Sequence, residues 1–173
     1  MKLCLVSLFL FLFSGCGATG DDPASPFEPT DPVISSNFDF IDLPVGEQLA
    51  AGPHCKEVTL EPDKSTRVNI NFAKMEFPEG AVEEATDIVA CTDKSIYAID
   101  LEPSETSFLL PVTVQFRLKK KDLTDEQLER ISVVLITSDG QTELIPHTME
   151  VKKKEILVFF SIGHFSRYAL VMD

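Results

Sequence analysis

The 173-residue chain has no tryptophan, two tyrosines and only three histidines. The histidines, at 54, 147 and 164, show no HxH or HExxH spacing, and no two cysteines form a CxxC. The close-set nitrogen and sulfur donors that a transition-metal site needs are missing, so no metal and no cofactor is expected. The eight glycines never gather into a phosphate-cradling loop. Basic residues are scarce: 15 Lys and Arg stand against 28 Asp and Glu, a formal charge of −13. Nucleic-acid binding draws on neutralised phosphates, so no nucleic-acid partner is expected. The bland account of the acidity is solubility and repulsion from negative membrane surfaces.

What is present begins with "MKLCLVSLFLFLFSGCGATGDD". Lys2 gives a short positive start, Leu3 to Phe13 a mostly apolar run, and Ser14-Gly15 a small-residue exit. That order reads as an export signal over residues 1–15. The run is well short of the roughly 18 residues a membrane-spanning helix needs. Phe13-Ser14-Gly15-Cys16 resembles the bacterial lipobox, with Phe13 where an aliphatic residue is usual. The resemblance implies that Cys16 becomes a lipid-modified N-terminus, carrying diacylglycerol and often a further acyl chain such as palmitate. Several chains on one cysteine anchor a protein stably without a spanning segment. The implied location is the bacterial cell envelope, at the periplasmic face or the cell surface, with the membrane as partner through Cys16. An ordinary signal with a chance cysteine is the alternative. Removing residues 1–15 takes away Lys2 and no acid, leaving a charge of −14.

From 16 to 53 the chain reads as the lipidated N-terminus and a Pro/Asp/Ser-rich tether. Prolines at 23, 26, 29 and 32 favour an extended, semi-rigid spacer. The more apolar 37–53 is left open between spacer and docked segment. Residues 54–173 are the expected folded domain, long enough to bury a core of their own. Runs such as "CKEVTL", "TRVNINF", "DIVACT", "IYAIDL", "PVTVQFRL", "ISVVLITS", "TELIPHTME" and "EILVFFSI" are rich in Val, Ile, Thr and Phe. Turn chemistry separates them: "EPDKS", "PEG", "SDGQ", "KKK". Period-two alternation in "RVNINF" and "PVTVQFRL" covers one face of a core. The expected class is all-β, an antiparallel β-sandwich. One helical turn is expected at "LTDEQLERI", capped by Thr124 or Asp125. Thirteen phenylalanines are expected to carry the core.

Cys4 would leave with the signal and Cys16 would carry lipid, so Cys55 and Cys91 remain. An exported domain permits a disulfide between them. Two buried free thiols are the alternative, because geometry decides.

Three stretches carry a family resemblance. "VNINFAKMEFPEGAV" is similar to the strand and "IPxGA" turn of the ZU-five domain, the β-sandwich of zonula occludens proteins, ankyrins and netrin receptors. Its core here is Phe77-Pro78-Glu79-Gly80-Ala81. "DLEPSETSFLLPVTVQF" resembles the "PxGxxFxxPVxL" segment, with Pro103, Phe108, Pro111 and Val112 in place and the glycine lost near Glu105-Thr106. "GHFSRYAL" resembles the closing "HFSxYAL". The stretches occur in family order over roughly 100 residues. The resemblance implies a β-sandwich that binds a protein or envelope component without catalysis, and it names no partner.

His164-Phe165-Ser166 raises a second reading. Some ZU-five domains of animal death-domain adaptors cut themselves within His-Phe-Ser. Carried over, His164 would take the Ser166 hydroxyl proton, and Ser166 would attack the Phe165 carbonyl. A base must lie within hydrogen-bond reach of the hydroxyl, about 2.6–3.2 Å. Residues two apart on a strand share a face, so His164 and Ser166 meet if the backbone bends between them, a bend Gly163 permits. Against this stands a purely structural tail, with His164 capping or bonding a neighbouring turn, Phe165 and Tyr168 as packing, and Ser166 satisfying a buried carbonyl. A third reading is a sugar- or calcium-binding envelope module, although no loop has calcium-ligand spacing. The runs Lys119–Lys121 and Lys152–Lys154 keep strand ends soluble, or else approach anionic headgroups.

Overall fold

In a computed structural model of the chain, the described residues are 38–43, 54–93, 95–104 and 106–173. The signal-like run, Cys16 and the proline-spaced tether lie outside them. Each alternating run forms a strand with its apolar residues inward: β3 (Thr66–Ile70) buries Val68 and Ile70, and β7 (Ser107–Lys119) buries Val112, Val114, Phe116 and Leu118. The other strands are β1 (Asp39–Phe40), β2 (His54–Leu60), β4 (Ala73–Phe77), β5 (Thr86–Thr92) and β6 (Ala98–Glu102). After a 3-10 turn (Lys120–Asp122) and the short helix α1 (Asp125–Glu129) come β8 (Ile131–Ile136), β9 (Thr142–Ile145), β10 (His147–Val151), β11 (Glu155–His164) and β12 (Arg167–Met172).

The chain is an all-β antiparallel sandwich. Among the described residues one sheet runs β2-β5-β6-β12-β8-β9, with β1 also on β12, and the other runs β10-β11-β7-β4-β3. Their inner faces bury one core, with Phe72, Phe116 and Phe160 meeting edge to face at 5.3 and 5.2 Å. Phe72 also packs against Tyr97 at 4.8 Å, and Phe160 faces Tyr168 at 6.0 Å, so aromatic rings bridge the sheets at two points. Such pairs add about 0.5–1.5 kcal/mol each beyond burial.

Three details depart from the reading of the runs. "TELIPHTME" is two strands, because Pro146 has no N–H to give a ladder, and the chain crosses from β9 in one sheet to β10 in the other. "VNINFAKMEF" is a hairpin: Asn71 takes φ 48 and turns β3 onto β4. The folded domain also starts before residue 54. Ile41 and Leu43 are 4% and 2% exposed, and β1 pairs with Val171 and Met172, so the described part of the stretch left open between spacer and docked segment is docked and contributes to the core. The helix is capped by Thr124, whose hydroxyl accepts from the Gln127 amide while the Gln127 side chain accepts from the Thr124 amide.

Cys55 and Cys91 lie opposite each other in the β2–β5 ladder and form a disulfide, 36 residues apart in sequence. In the chain-entropy picture a loop of that length stabilises by about 3–4 kcal/mol. We expect Cys55→Ser/Cys91→Ser to lower the unfolding free energy by that amount in urea titrations. An unchanged midpoint would show that the bridge closes no entropically costly loop.

Candidate functional site

The His-Phe-Ser stretch is the corner where the chain leaves one sheet for the other. β11 ends at His164 in the five-stranded sheet, and β12 begins at Arg167 in its partner. Just before the corner, the β11–β7 register shifts between Ile162 and His164, so the strand bulges at Gly163. A bulge bends a strand and re-aims the residues after it. Phe165 is thereby turned fully inward, at 0% exposure, and its ring packs against Phe108 at 4.4 Å. Phe108 in turn packs against Phe77 at 5.6 Å.

That row joins residues from "FPEGA", "SFLLPV" and "HFS". The backbone follows the same route. The Leu109 amide donates to the Ala81 carbonyl at 2.9 Å, and the Phe165 amide donates to the Thr106 carbonyl at 2.9 Å. Gly80 sits at φ 79 in the Pro78–Ala81 turn, a conformation that favours glycine, and its amide donates to the Pro62 carbonyl at 2.8 Å. Three stretches distant in sequence thus build a single corner.

Both sides of the corner are pinned. On the β11 side the buried Tyr168 hydroxyl donates to the His164 carbonyl at 2.8 Å. Burial, and then the Glu143 charge, push that phenol far above its usual range, so it stays a donor. On the β12 side the Ser166 carbonyl accepts from the Leu101 amide at 3.1 Å. The Arg167 guanidinium then reaches Asp93 at 2.9 Å and Asp100 at 3.4 Å. Burial disfavours the Asp93 charge, but bonds from the Ser95 amide and hydroxyl, the Ile96 amide and Arg167 outweigh it and hold its pKa below the usual value. Asp100 is shifted the other way. Burial raises its pKa, Arg167 only partly offsets that, and the charges of Asp93 and Glu102 push it further up.

The peptide between Phe165 and Ser166 stands apart from these anchors. Among the described residues it makes no backbone hydrogen bond, and its carbonyl meets only the His164 Nδ1, at 3.4 Å. His164 and Ser166 share no hydrogen bond there, although the sequence places them two apart. Their common strand face is lost because the strand ends at His164. The imidazole addresses the carbonyl oxygen and not the hydroxyl. No group of three or more His, Cys, Asp or Glu among the described residues could hold a metal ion. The Arg167–Asp93–Asp100 cluster was not anticipated. Asp93 followed two residues later by Ser95 is an Asx-turn signal that could have marked the loop, but nothing local pointed to Arg167, 74 positions away.

Two outcomes follow from the corner's geometry. Phe165→Ala should cost about 3–5 kcal/mol in chemical denaturation, as for other fully buried phenylalanines; a loss below about 1 kcal/mol would mean the ring is not a keystone. Asp93, with its pKa lowered on folding, contributes stability above the usual carboxylate range, and this is lost as pH falls through its folded pKa. Asp100, raised, contributes the reverse: stability present at acid pH is lost as pH rises through its folded value. Asp93→Asn should therefore destabilise by about 1 kcal/mol at neutral pH, the upper end for a solvent-screened pair. The gap to the unmodified chain should close in acid, read by thermal melts across pH; a gap independent of pH would contradict this. No family model matches the chain, and no curated protein matches it.

Proposed function

We propose that the chain is a membrane-anchored bacterial lipoprotein presenting a ZU-five-like β-sandwich as a non-catalytic binding module at the cell envelope. Lipid on Cys16 supplies the membrane contact, and a protein or envelope component is the partner. The observation that carries the non-catalytic reading is the complete burial of Phe165, with no hydrogen bond between Ser166 and the His164 ring. The convergence of Phe77, Phe108 and Phe165 in one row supports the ZU-five reading. The three motif stretches have a common physical purpose, which is to close this corner.

One observation favours self-cleavage as a second reading. The Phe165–Ser166 peptide is outside the ladder, with both flanks fixed and a histidine at its carbonyl oxygen. In that reaction His164 would remove the Ser166 hydroxyl proton while Oγ bonds to the Phe165 carbonyl carbon. The C–N bond would break, the nitrogen would take the proton, and water would hydrolyse the resulting ester. Intact mass of the purified domain under denaturing conditions, beside Ser166→Ala, separates the two. We expect one uncleaved mass in both. Loss of the eight residues Ser166–Asp173 from the unmodified chain alone would replace the binding module with a single-turnover self-protease.

A further inference from the structure

The two lysine triplets lie some thirty positions apart in a chain of net charge −13, yet the fold sets them side by side. Lys119 is opposite Glu155 in the β7–β11 ladder, and the Lys120 amide donates to the Lys154 carbonyl at 3.1 Å. Lys119, Lys120, Lys121, Lys153 and Lys154 line one recess of about 560 Å³ at this end of the five-stranded sheet. Its walls are largely apolar, formed by the aliphatic stems of those side chains. Among the described residues, Lys120, Lys121, Lys153 and Lys154 make no ion pair, whereas Lys152 pairs with Glu150 at 3.5 Å. Within 119–122 and 152–155 six lysines face Asp122 and Glu155, a local balance of +4. Clustering like charges costs free energy that a nearby anionic surface removes.

The position of this end adds a second argument. The Arg117 amide, two residues before Lys119, donates to the Phe72 carbonyl at 2.9 Å. The Phe72 ring packs on Tyr97, whose amide donates to the Ile41 carbonyl at 3.0 Å. The Tyr97 phenol is pushed up to about 12, by burial first and then by the charge of Asp122, the residue that closes the lysine turn. The residues that follow β1 are therefore tied, through Tyr97 and Phe72, to the lysine end. The acidic remainder is screened beyond a Debye length of about 8–10 Å, so a surface meeting this end senses mainly the local charge.

We propose that the lysine-lined end is a docking surface for anionic phospholipid headgroups, holding the sandwich end-on against the bilayer. The inference rests on the lipid-anchored reading for its setting, but its test does not. The chain from residue 16 onward, carrying Cys16→Ser and so no acyl anchor, is mixed with phosphatidylcholine vesicles and with vesicles one-third phosphatidylglycerol. Binding should require phosphatidylglycerol and fall with added salt. A lysine near an anionic surface is worth about fivefold in partitioning, so Lys121→Gln/Lys153→Gln should weaken binding about 25-fold. Lys64→Gln/Arg67→Gln removes the same charge from the β2–β3 turn and start of β3, and should weaken it less than about threefold. Equal weakening by the two pairs, equal binding to neutral vesicles, or no binding to anionic vesicles would each overturn the proposal. Inorganic polyphosphate binding without vesicle binding would do the same. None of these results bears on whether Cys16 is lipidated, which the mass of the N-terminal peptide from exported protein reads separately.

Discussion

The structure depends on burying one aromatic ring at the place where the chain changes sheets. β11 and β12 are consecutive, each paired on both sides within its sheet, and joined by only Phe165 and Ser166. A connection so short leaves two strongly apolar strands no slack, so the corner sets how the sheets face one another. Burying a phenylalanine contributes about 1.5–3 kcal/mol by transfer alone. Here the ring also completes the row begun by Phe77 and Phe108. The bulge at Gly163, the Tyr168 hydroxyl and the Arg167 ion pairs all serve to present that ring inward and keep it there. The positive φ of Gly80 belongs to the same assembly, because its turn delivers Ala81 to the strand that carries Phe108.

This dependence explains why the fold class was legible and several connections were not. Alternation in "RVNINF" and "PVTVQFRL" is a local consequence of one buried face, so those strands could be read directly. The capping box at Thr124 and Gln127 is equally local. Sheet membership is not. Pro146 reads as a break in a ladder, but whether the chain then returns to the same sheet depends on β8 and β11, which it must choose between. The "INFAK" hairpin has no glycine or proline to announce it, and Asn71 alone carries the turn. Ile41 and Leu43 follow a proline-rich stretch whose composition masks them, and their backbone partners, Leu170 of β12 and the Ser95–Tyr97 stretch, lie far off in sequence.

The candidate site shows the same division. His164, Phe165 and Ser166 could be singled out from sequence because base, bulky residue and nucleophile stand in a row. Their roles could not, because strand alternation predicts a common face for His164 and Ser166 while the strand ends between them. The lysine triplets were visible as runs, but their union into one basic end needed the β7–β11 register. Arg167 carried no local signal at all, since its two carboxylate partners lie on the other side of β7 through β11 in sequence. In each case the residue types were informative and the pairing was a property of topology. An acidic chain with one basic end is also oriented electrically, with a consequence for any charged surface it meets.

The central claim is that the corner belongs to the cooperative core. Native-state hydrogen exchange of the Phe165 and Leu101 amides tests it most directly, because those two groups tie the corner to the Thr106 and Ser166 carbonyls. The account predicts that both exchange only through global unfolding, with the same free energy as amides in the centres of β7 and β11. Exchange through local opening, several kcal/mol below the global value, would contradict it. The corner would then be a labile joint, and the burial of Phe165 would not be what holds the two sheets in place.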